Sequence, residues 1–249
     1  MKDRQRNIIV FGAASTIAHK TILEFCKTDE NNFILIGRNE ERLNSIKSEV
    51  EAYNASASVL LCDATNIDEV ILTAHVCLNL IQKIDILYIA HGSLPDNELV
   101  YKNNTKLITE MNTNFLSVIT FITELIPRFE EQKDGVIAVI SSVAGDRGRQ
   151  SNFIYGTAKA AISTYLSGLR NKLFHFGVHV LTIKPGFVDT QMTKDVPKNP
   201  LFAKPESVAK KIVEAIKNET DILYVPGFWK YIMMIIKSIP EGMFKKLKL

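Results

Sequence analysis

Short runs of apolar and β-branched residues alternate along this chain with longer stretches in which apolar positions recur every three or four residues. The runs cover Asn7 to Phe11, Phe33 to Gly37, Ser58 to Cys62, Ile84 to Ala90, Val136 to Ser141 and Val178 to Lys184, and they predict strands. The amphipathic stretches, Thr16 to Lys27, Glu40 to Ala52, Ile67 to Gln82, Thr105 to Glu131 and Ser151 to Phe176, predict helices between them. Strands that are almost wholly apolar are covered on both faces, and their alternation with helices predicts an α/β fold around a doubly wound parallel sheet. No linker or repeat interrupts the pattern, so one domain is expected over residues 1–227.

After Gly186 the pattern loosens. Phe187 to Lys204 contains Pro197 and Pro200 and reads as a loop or lid. Pro205-Glu206-Ser207 then opens a helix with proline and acid in its first turn. Ile222 to Val225 predicts a seventh strand. Residues 228–249 differ in kind, with five lysines against Glu241, a net +4 that leaves −1 for the rest. Lys230 and Lys237 share one helix face, Tyr231, Ile232, Met234, Ile235 and Ile239 cover much of the remainder, and Pro240-Glu-Gly242 ends the helix. Such a basic amphipathic segment can lie in the headgroup region of an anionic membrane, or pack as an ordinary helix in a subunit interface.

Composition narrows the picture further. With 249 residues, 46% hydrophobic and 23% charged, the chain can bury a full core. A whole-chain net charge of +3 carries no basic stripe for nucleic acid. Cys26, Cys62 and Cys77 lie in no CxxC and read as buried reduced thiols. The five histidines show no ligand spacing, so no metal is assigned. The charged start, Met1 to Arg6, and the apolar run that stops at Gly12 do not match a secretory signal, and no apolar run approaches a spanning helix. A cytoplasmic protein is expected, peripheral on the inner membrane face if the basic segment binds lipid.

The first predicted strand ends in Gly12-Ala-Ala14-Ser15-Thr16-Ile17-Ala18, immediately before a helix. A small-residue turn there lets backbone approach a pyrophosphate that the helix N-terminus favours, although a tight strand-to-helix turn explains Gly12 equally well. The second strand ends Gly37-Arg38, a cation where an NAD-preferring site carries a carboxylate. That suits a 2′-phosphate, so NADP is favoured over NAD. Asp63, followed by Ala64, can accept from an adenine amino group or cap the next helix.

Tyr155-Gly-Thr-Ala-Lys159 places a phenol and an ammonium four residues apart on one helix face. A nearby ammonium favours the phenolate and is expected to lower the tyrosine pKa. Ser142, thirteen residues earlier at a strand end, can donate to a substrate carbonyl oxygen. From Asn7 to Thr190 the chain resembles the short-chain dehydrogenases/reductases, which implies a Rossmann-type fold of about seven strands with helices on both faces and a homodimer or homotetramer. The resemblance implies a catalytic tetrad of Asn114, Ser142, Tyr155 and Lys159, with Asn114 holding a water for proton relay and Asn112 as its competitor. It also implies cofactor contacts from Ala90, Gly92, Pro185, Gly186, the Val188 backbone, the Thr190 hydroxyl, Tyr155 and Lys159. Thr16, Ala18, His91 and Ser117 depart from the usual small or glycine residues of that family.

Three stretches, Gly12 to Ala18, Ser142 to Asn152 and Trp229 to Leu247, are similar to a branch of decaprenylphosphoryl-2-keto-ribose reductases usually described with NADH. The branch implies an NAD(P)H-dependent ketoreductase acting on a polyprenyl-phosphate-linked keto-sugar in cell-envelope glycan synthesis, with a partner oxidase. Arg147 and Arg149 can meet a substrate phosphate or stand solvated in their loop. Two other readings stay open: a reductase of acyl-chain or steroid-like ketones, and a dinucleotide-binding regulator without turnover.

Overall fold

The computed structural model describes residues 5–28 and 30–248, so the start at Met1 to Arg4 and Leu249 lie outside the described residues. All seven predicted strands form: β1 (Arg6–Phe11), β2 (Asn31–Gly37), β3 (Ser56–Leu61), β4 (Ile86–Ile89), β5 (Val136–Ile140), β6 (His179–Pro185) and β7 (Ile222–Val225). They pair in parallel in the order β3-β2-β1-β4-β5-β6-β7. The order reverses between β1 and β4, and ligand crevices open at such a switch point, outside the carboxyl ends of the strands.

Alternation along the strands builds two cores. Ile8 and Val10 of β1 face α1 (Thr16–Cys26), α2 (Glu40–Glu51) and α8 (Pro205–Lys217), through Ile22, Phe25, Leu43, Ile46 and Ile212. Ile9 and Phe11 point the other way, toward α3 (Ile67–Leu80), α6 (Ser117–Gln132) and α7 (Phe153–Leu173), through Val70, Cys77, Phe121, Leu125, Ile162 and Leu166. Each fully buried Ile, Leu or Phe is worth about 1.5–3 kcal/mol, so both faces must be covered. All three cysteines are buried and unpaired. Among the described residues no His, Cys, Asp and Glu gather as a metal site, and no helix is long and apolar enough to cross a membrane.

The stretch expected as one helix from Thr105 to Glu131 is broken. A short α4 (Asn97–Tyr101), not anticipated, precedes α5 (Asn104–Met111), and a π-turn over Asn112–Leu116 joins α5 to α6. Thr109, Thr113 and Ser117, spaced by four, each donate a hydroxyl to the carbonyl four residues back, at 2.9–3.0 Å. Such back-bonds bend a helix, and π-turns recur at functional sites.

Residues 228–248 pack onto the domain. In α9 (Trp229–Ser238), Trp229 and Met233 are buried against Val143, while Tyr231, Met234 and Ile235 face outward; α10 (Glu241–Phe244) follows. The loop from Phe187 to Lys204 closes on itself through a bridge between Val188 and Ala203 and a stacked Phe187–Phe202 pair at 5.2 Å.

Candidate active site

The ends of β1, β4, β5 and β6 open into one cavity of about 410 Å³. Its lining includes Ala14, Ser15, Thr16, Ile17, Arg38, Ala90, Gly92, Ser142, Tyr155, Lys159, Pro185, Gly186, Val188 and Thr190, most of the residues picked out by their motifs. Gly12 does not line the cavity but sets the turn that leads into it. Its φ is +86°, and a Cβ there would sit 2.4 Å from the His91 backbone nitrogen, so only glycine lets the β1 turn pass this close to β4. Ser15 then caps α1 by accepting from the Ala18 amide at 3.2 Å, which aims the helix N-terminus into the cavity.

Arg38 is joined at the rim by Arg42 of α2, which sequence reasoning missed, although its position four residues after Arg38 was a usable signal. Asp63 and Ala64 do not line the cavity. The Asp63 carboxylate instead accepts from the Thr65 amide at 2.9 Å, shaping the turn before Asn66, which caps α3. That bond leaves Asp63 Oδ2 open, and the adenine contact expected of Asp63 and Ala64 stays a proposal.

Close packing of β5 on α7 sets the geometry of Ser142, Tyr155 and Lys159. Added Cβ atoms at Gly145 and Gly156 would meet Lys159 and Ala144 backbone at 2.6 and 2.9 Å. Ser141 staples the two elements by donating to the Lys159 carbonyl at 2.9 Å. Ser142 accepts from the Ala144 amide at 3.1 Å, which orients its hydroxyl toward Tyr155 and the cavity. Lys159, almost fully buried, donates to the Ile140 carbonyl at 3.1 Å, and its Nζ lies 5.7 Å from the Tyr155 ring centre.

Burial dominates both titrations. It lowers the Lys159 ammonium to about 8, because the charged form loses water. It raises the Tyr155 phenol to about 12, with only a hydrogen bond from Ser142 pulling back. The expectation that Lys159 brings the tyrosine down is thus corrected: desolvation outweighs the ammonium, whose proton goes to Ile140. A phenol this weak keeps its proton at neutral pH, so Tyr155 has a proton to give.

Asn114 sits in the π-turn, almost wholly buried. Its Oδ1 accepts from the Ser93 amide at 3.0 Å, and its Nδ2 donates to Ser93 Oγ at 3.0 Å and Glu110 Oε2 at 3.1 Å. Asn112 instead donates to the Thr65 carbonyl at 3.2 Å, away from this cluster. Neither Ser93 nor Glu110 carried a motif signal.

His91 and Ser117, two departures from the usual pattern, prove to be partners. Ser117 spends its proton on the Thr113 carbonyl, so at 2.8 Å it accepts from His91 Nε2–H. The imidazole lies against Phe11, tilted by 39° with ring centres 4.0 Å apart, and burial holds its pKa at about 3, so it stays neutral.

Arg147 does not face the cavity. It donates to the Ile236 and Ile239 carbonyls, each at 2.6 Å, pairs with Glu241 at 2.9 Å and stacks on Phe244. Its expected phosphate role gives way to capping the end of α9. Arg149, by contrast, lines the cavity, together with Asn152 and Trp229.

The cradle fits a dinucleotide: a glycine turn with no room for a side chain, a helix N-terminus, two rim arginines and a buried lysine. Arg38 and Arg42 would hold the adenosine end, the α1 N-terminus the pyrophosphate, and Lys159 with residues 185–190 the nicotinamide riboside. Among proteins of known sequence, the chain is 25% identical over 245 residues to an uncharacterized oxidoreductase of Mycobacterium tuberculosis, covering 96% of each. It is 30% identical over 196 residues to an uncharacterized oxidoreductase of Staphylococcus epidermidis, covering 78% of this chain and 82% of that one. The ketoacyl reductase HetN of a Nostoc species is 26% identical over 197 residues, 77% of this chain and 69% of that one. The fold superposes with a TM-score of 0.81 on an actinorhodin polyketide ketoreductase variant with NADPH, at 18% identity over 92% of this chain and 99% of that one. The family profile described as short chain dehydrogenase matches residues 6–201, and the chain belongs to that family of NAD(P)-dependent oxidoreductases.

Proposed function

We propose that this protein is an NAD(P)H-dependent ketoreductase whose proton donor is Tyr155. The observation that carries this reading is that Ser142, Tyr155 and Lys159 share one cavity with the glycine turn and the segment after β6. NAD(P)H, when bound, supplies the hydride. Tyr155 donates its phenolic proton to the carbonyl oxygen, a transfer that its high pKa suits because a developing alkoxide is far more basic. Ser142 donates to the same oxygen, from a hydroxyl already oriented by the Ala144 amide. Lys159 offers a desolvated positive charge to the phenolate as it forms, and Asn114, fixed by Ser93 and Glu110, stands at the head of the relay that reprotonates it.

In its finer form the substrate is a keto-sugar carried on polyprenyl phosphate, and the protein works at the inner face of the cytoplasmic membrane beside an oxidase. Its support is the outward face of α9, where Tyr231, Met234 and Ile235 are exposed among Lys230 and Lys237. An acyl-chain ketone is the competing substrate, favoured by the apolar wall of Leu94, Val143, Phe187, Met192 and Val196 and by the ketoacyl reductase named among its relatives. Purified protein should oxidise NADPH or NADH with a ketone, and Tyr155→Phe should lower kcat by at least about 10²-fold with cofactor affinity kept. Full activity in that variant would overturn the mechanism. A panel of keto-sugar and acyl ketones separates the substrates. Co-sedimentation with anionic vesicles tests the membrane contact, and light scattering the homodimer or homotetramer.

A further inference from the structure

Three polar groups in one wall of the cavity have no hydrogen-bond partner although their atoms are buried: Arg149 Nε, Asn152 Oδ1 and Trp229 Nε1. Orphaned buried donors and acceptors are costly, and three within one ligand cavity ask for a ligand. They come from separate elements. Arg149 and Asn152 lie between Ser142 and Tyr155, and Trp229 opens α9.

The wall is built to hold them. Trp229 is 3% exposed, and its indole lies where a side chain on residue 186 would be, since a Cβ at Gly186 would fall 1.9 Å from Nε1. Arg149 contacts Met233, one turn further along α9, at 3.2 Å through its Nη2. Among the described residues no carboxylate pairs with Arg149. The nearby Asp146 is already held by Lys184 at 2.5 Å and by the Tyr224 hydroxyl at 2.7 Å. The guanidinium is therefore a half-buried cation with no direct ion pair and only the already engaged Asp146 charge, beside the apolar Val143, Phe187 and Met233, where a charge interaction is stronger than in water.

We infer that Arg149, Trp229 and Asn152 form a substrate-recognition subsite for a hydroxylated ketone that carries a phosphate ester. Arg149 and the Trp229 N–H donate to phosphate oxygens, and the Asn152 amide oxygen accepts from a substrate hydroxyl. A guanidinium matches phosphate by a two-pronged fit that neutral acyl chains cannot use. This deepens the ketoreductase reading and rests on it for the identity of the ligand's ketone, but the subsite can be tested without turnover.

Trp229 is the only tryptophan in the chain, so its emission reports on this subsite alone. The protein is first saturated with NADP+, so that phosphate cannot respond from the cofactor site. It is then titrated with D-ribulose 5-phosphate against D-ribulose, and with farnesyl phosphate against farnesol. Saturable changes in Trp229 emission are expected with a phosphate ester and not with its phosphate-free partner. Arg149→Gln should weaken the response about tenfold or more, with NADP+ affinity kept, and Arg149→Lys should restore part of it. Whichever phosphate ester saturates at lower concentration identifies a free sugar phosphate or a lipid phosphate as the source. Should Arg149→Gln lose NADP+ binding, Arg149→Met, which suits the apolar wall, replaces it. No saturable response to either ester, or an undiminished one in the folded Arg149 variant, overturns the subsite. Absence of ketone reduction with a positive titration counts against the enzyme reading alone.

Discussion

Replacing Arg147 with methionine should loosen α9 and α10 from the domain while the sheet stays intact. The carbonyls at the end of a helix have no intrahelical partner, and here Arg147 Nη1 satisfies those of Ile236 and Ile239 at 2.6 Å each. A hydrogen bond from a charged donor contributes about 1.5–3 kcal/mol, so the two together bound the loss at about 3–6 kcal/mol. Water can reach the freed carbonyls, which favours the lower end. Stacking on Phe244, 3.6 Å from its ring centre, adds about 0.5–1 kcal/mol. The ion pair to Glu241 looks equally prominent, but that carboxylate is 78% exposed, and such pairs are worth about 0–1 kcal/mol. The carbonyl bonds therefore dominate. Arg147→Met should raise the opening of residues 229–244 by about a hundredfold, the equivalent of about 3 kcal/mol, while Glu241→Gln should change it less than about threefold. Hydrogen exchange resolved by peptide measures both, with Trp229 emission as a second probe. Equal loosening by the two variants would refute the ranking, and no loosening by either would refute the clamp itself.

Three further outcomes are expected. Lys159 titrates at about 8, and its ammonium is the useful form, so kcat/KM for ketone reduction should fall about tenfold per pH unit above that value; a flat profile to pH 10 would remove Lys159 from the mechanism. Ser117→Ala strands the buried His91 N–H and should cost about 1–3 kcal/mol in urea unfolding, whereas His91→Phe with Ser117→Ala should cost less than the sum of the two single changes. Arg38→Ala with Arg42→Ala should weaken NADPH more than NADH, read as a ratio of KM values; an unchanged ratio would take the rim arginines away from a 2′-phosphate.

The sheet was readable because the central strands are nearly continuous apolar runs, and their burial on both faces leaves no other way to satisfy such a run. Gly12, Ser142, Tyr155 and Lys159 were readable because their chemistry depends on local spacing. What depended on distant pairing was not. Asp63 accepts from the amide of Thr65, a local turn bond that its place after β3 did not announce. The π-turn that seats Asn114 is invisible to a 3.6-residue period, though the four-residue spacing of Thr105, Thr109, Thr113 and Ser117 hinted at a bend. His91 and Ser117 each looked like a defect until their side chains met. The tyrosine pKa was misjudged because spacing reports the nearby charge and not the loss of water. Arg147 and Arg149, two residues apart, took opposite fates, one to α9 and one to the cavity, and nothing in a local window separates them.

Trp229 belongs neither to β5, just beyond which Ser142 stands, nor to α7, which carries Tyr155. Part of the proposed recognition surface and the proposed proton-transfer residues thus sit on separable parts of one fold: Trp229 on a helix whose end Arg147 holds and whose apolar side packs on Val143, the others after β5 and on α7. An arrangement of this kind is modular: the helix can be exchanged, extended or redrawn to admit a new substrate while the proton-transfer apparatus is left untouched. For protein engineering, α9 is therefore the place to begin a library, and the opening Pro185-Gly186 is the constraint that such a library must respect.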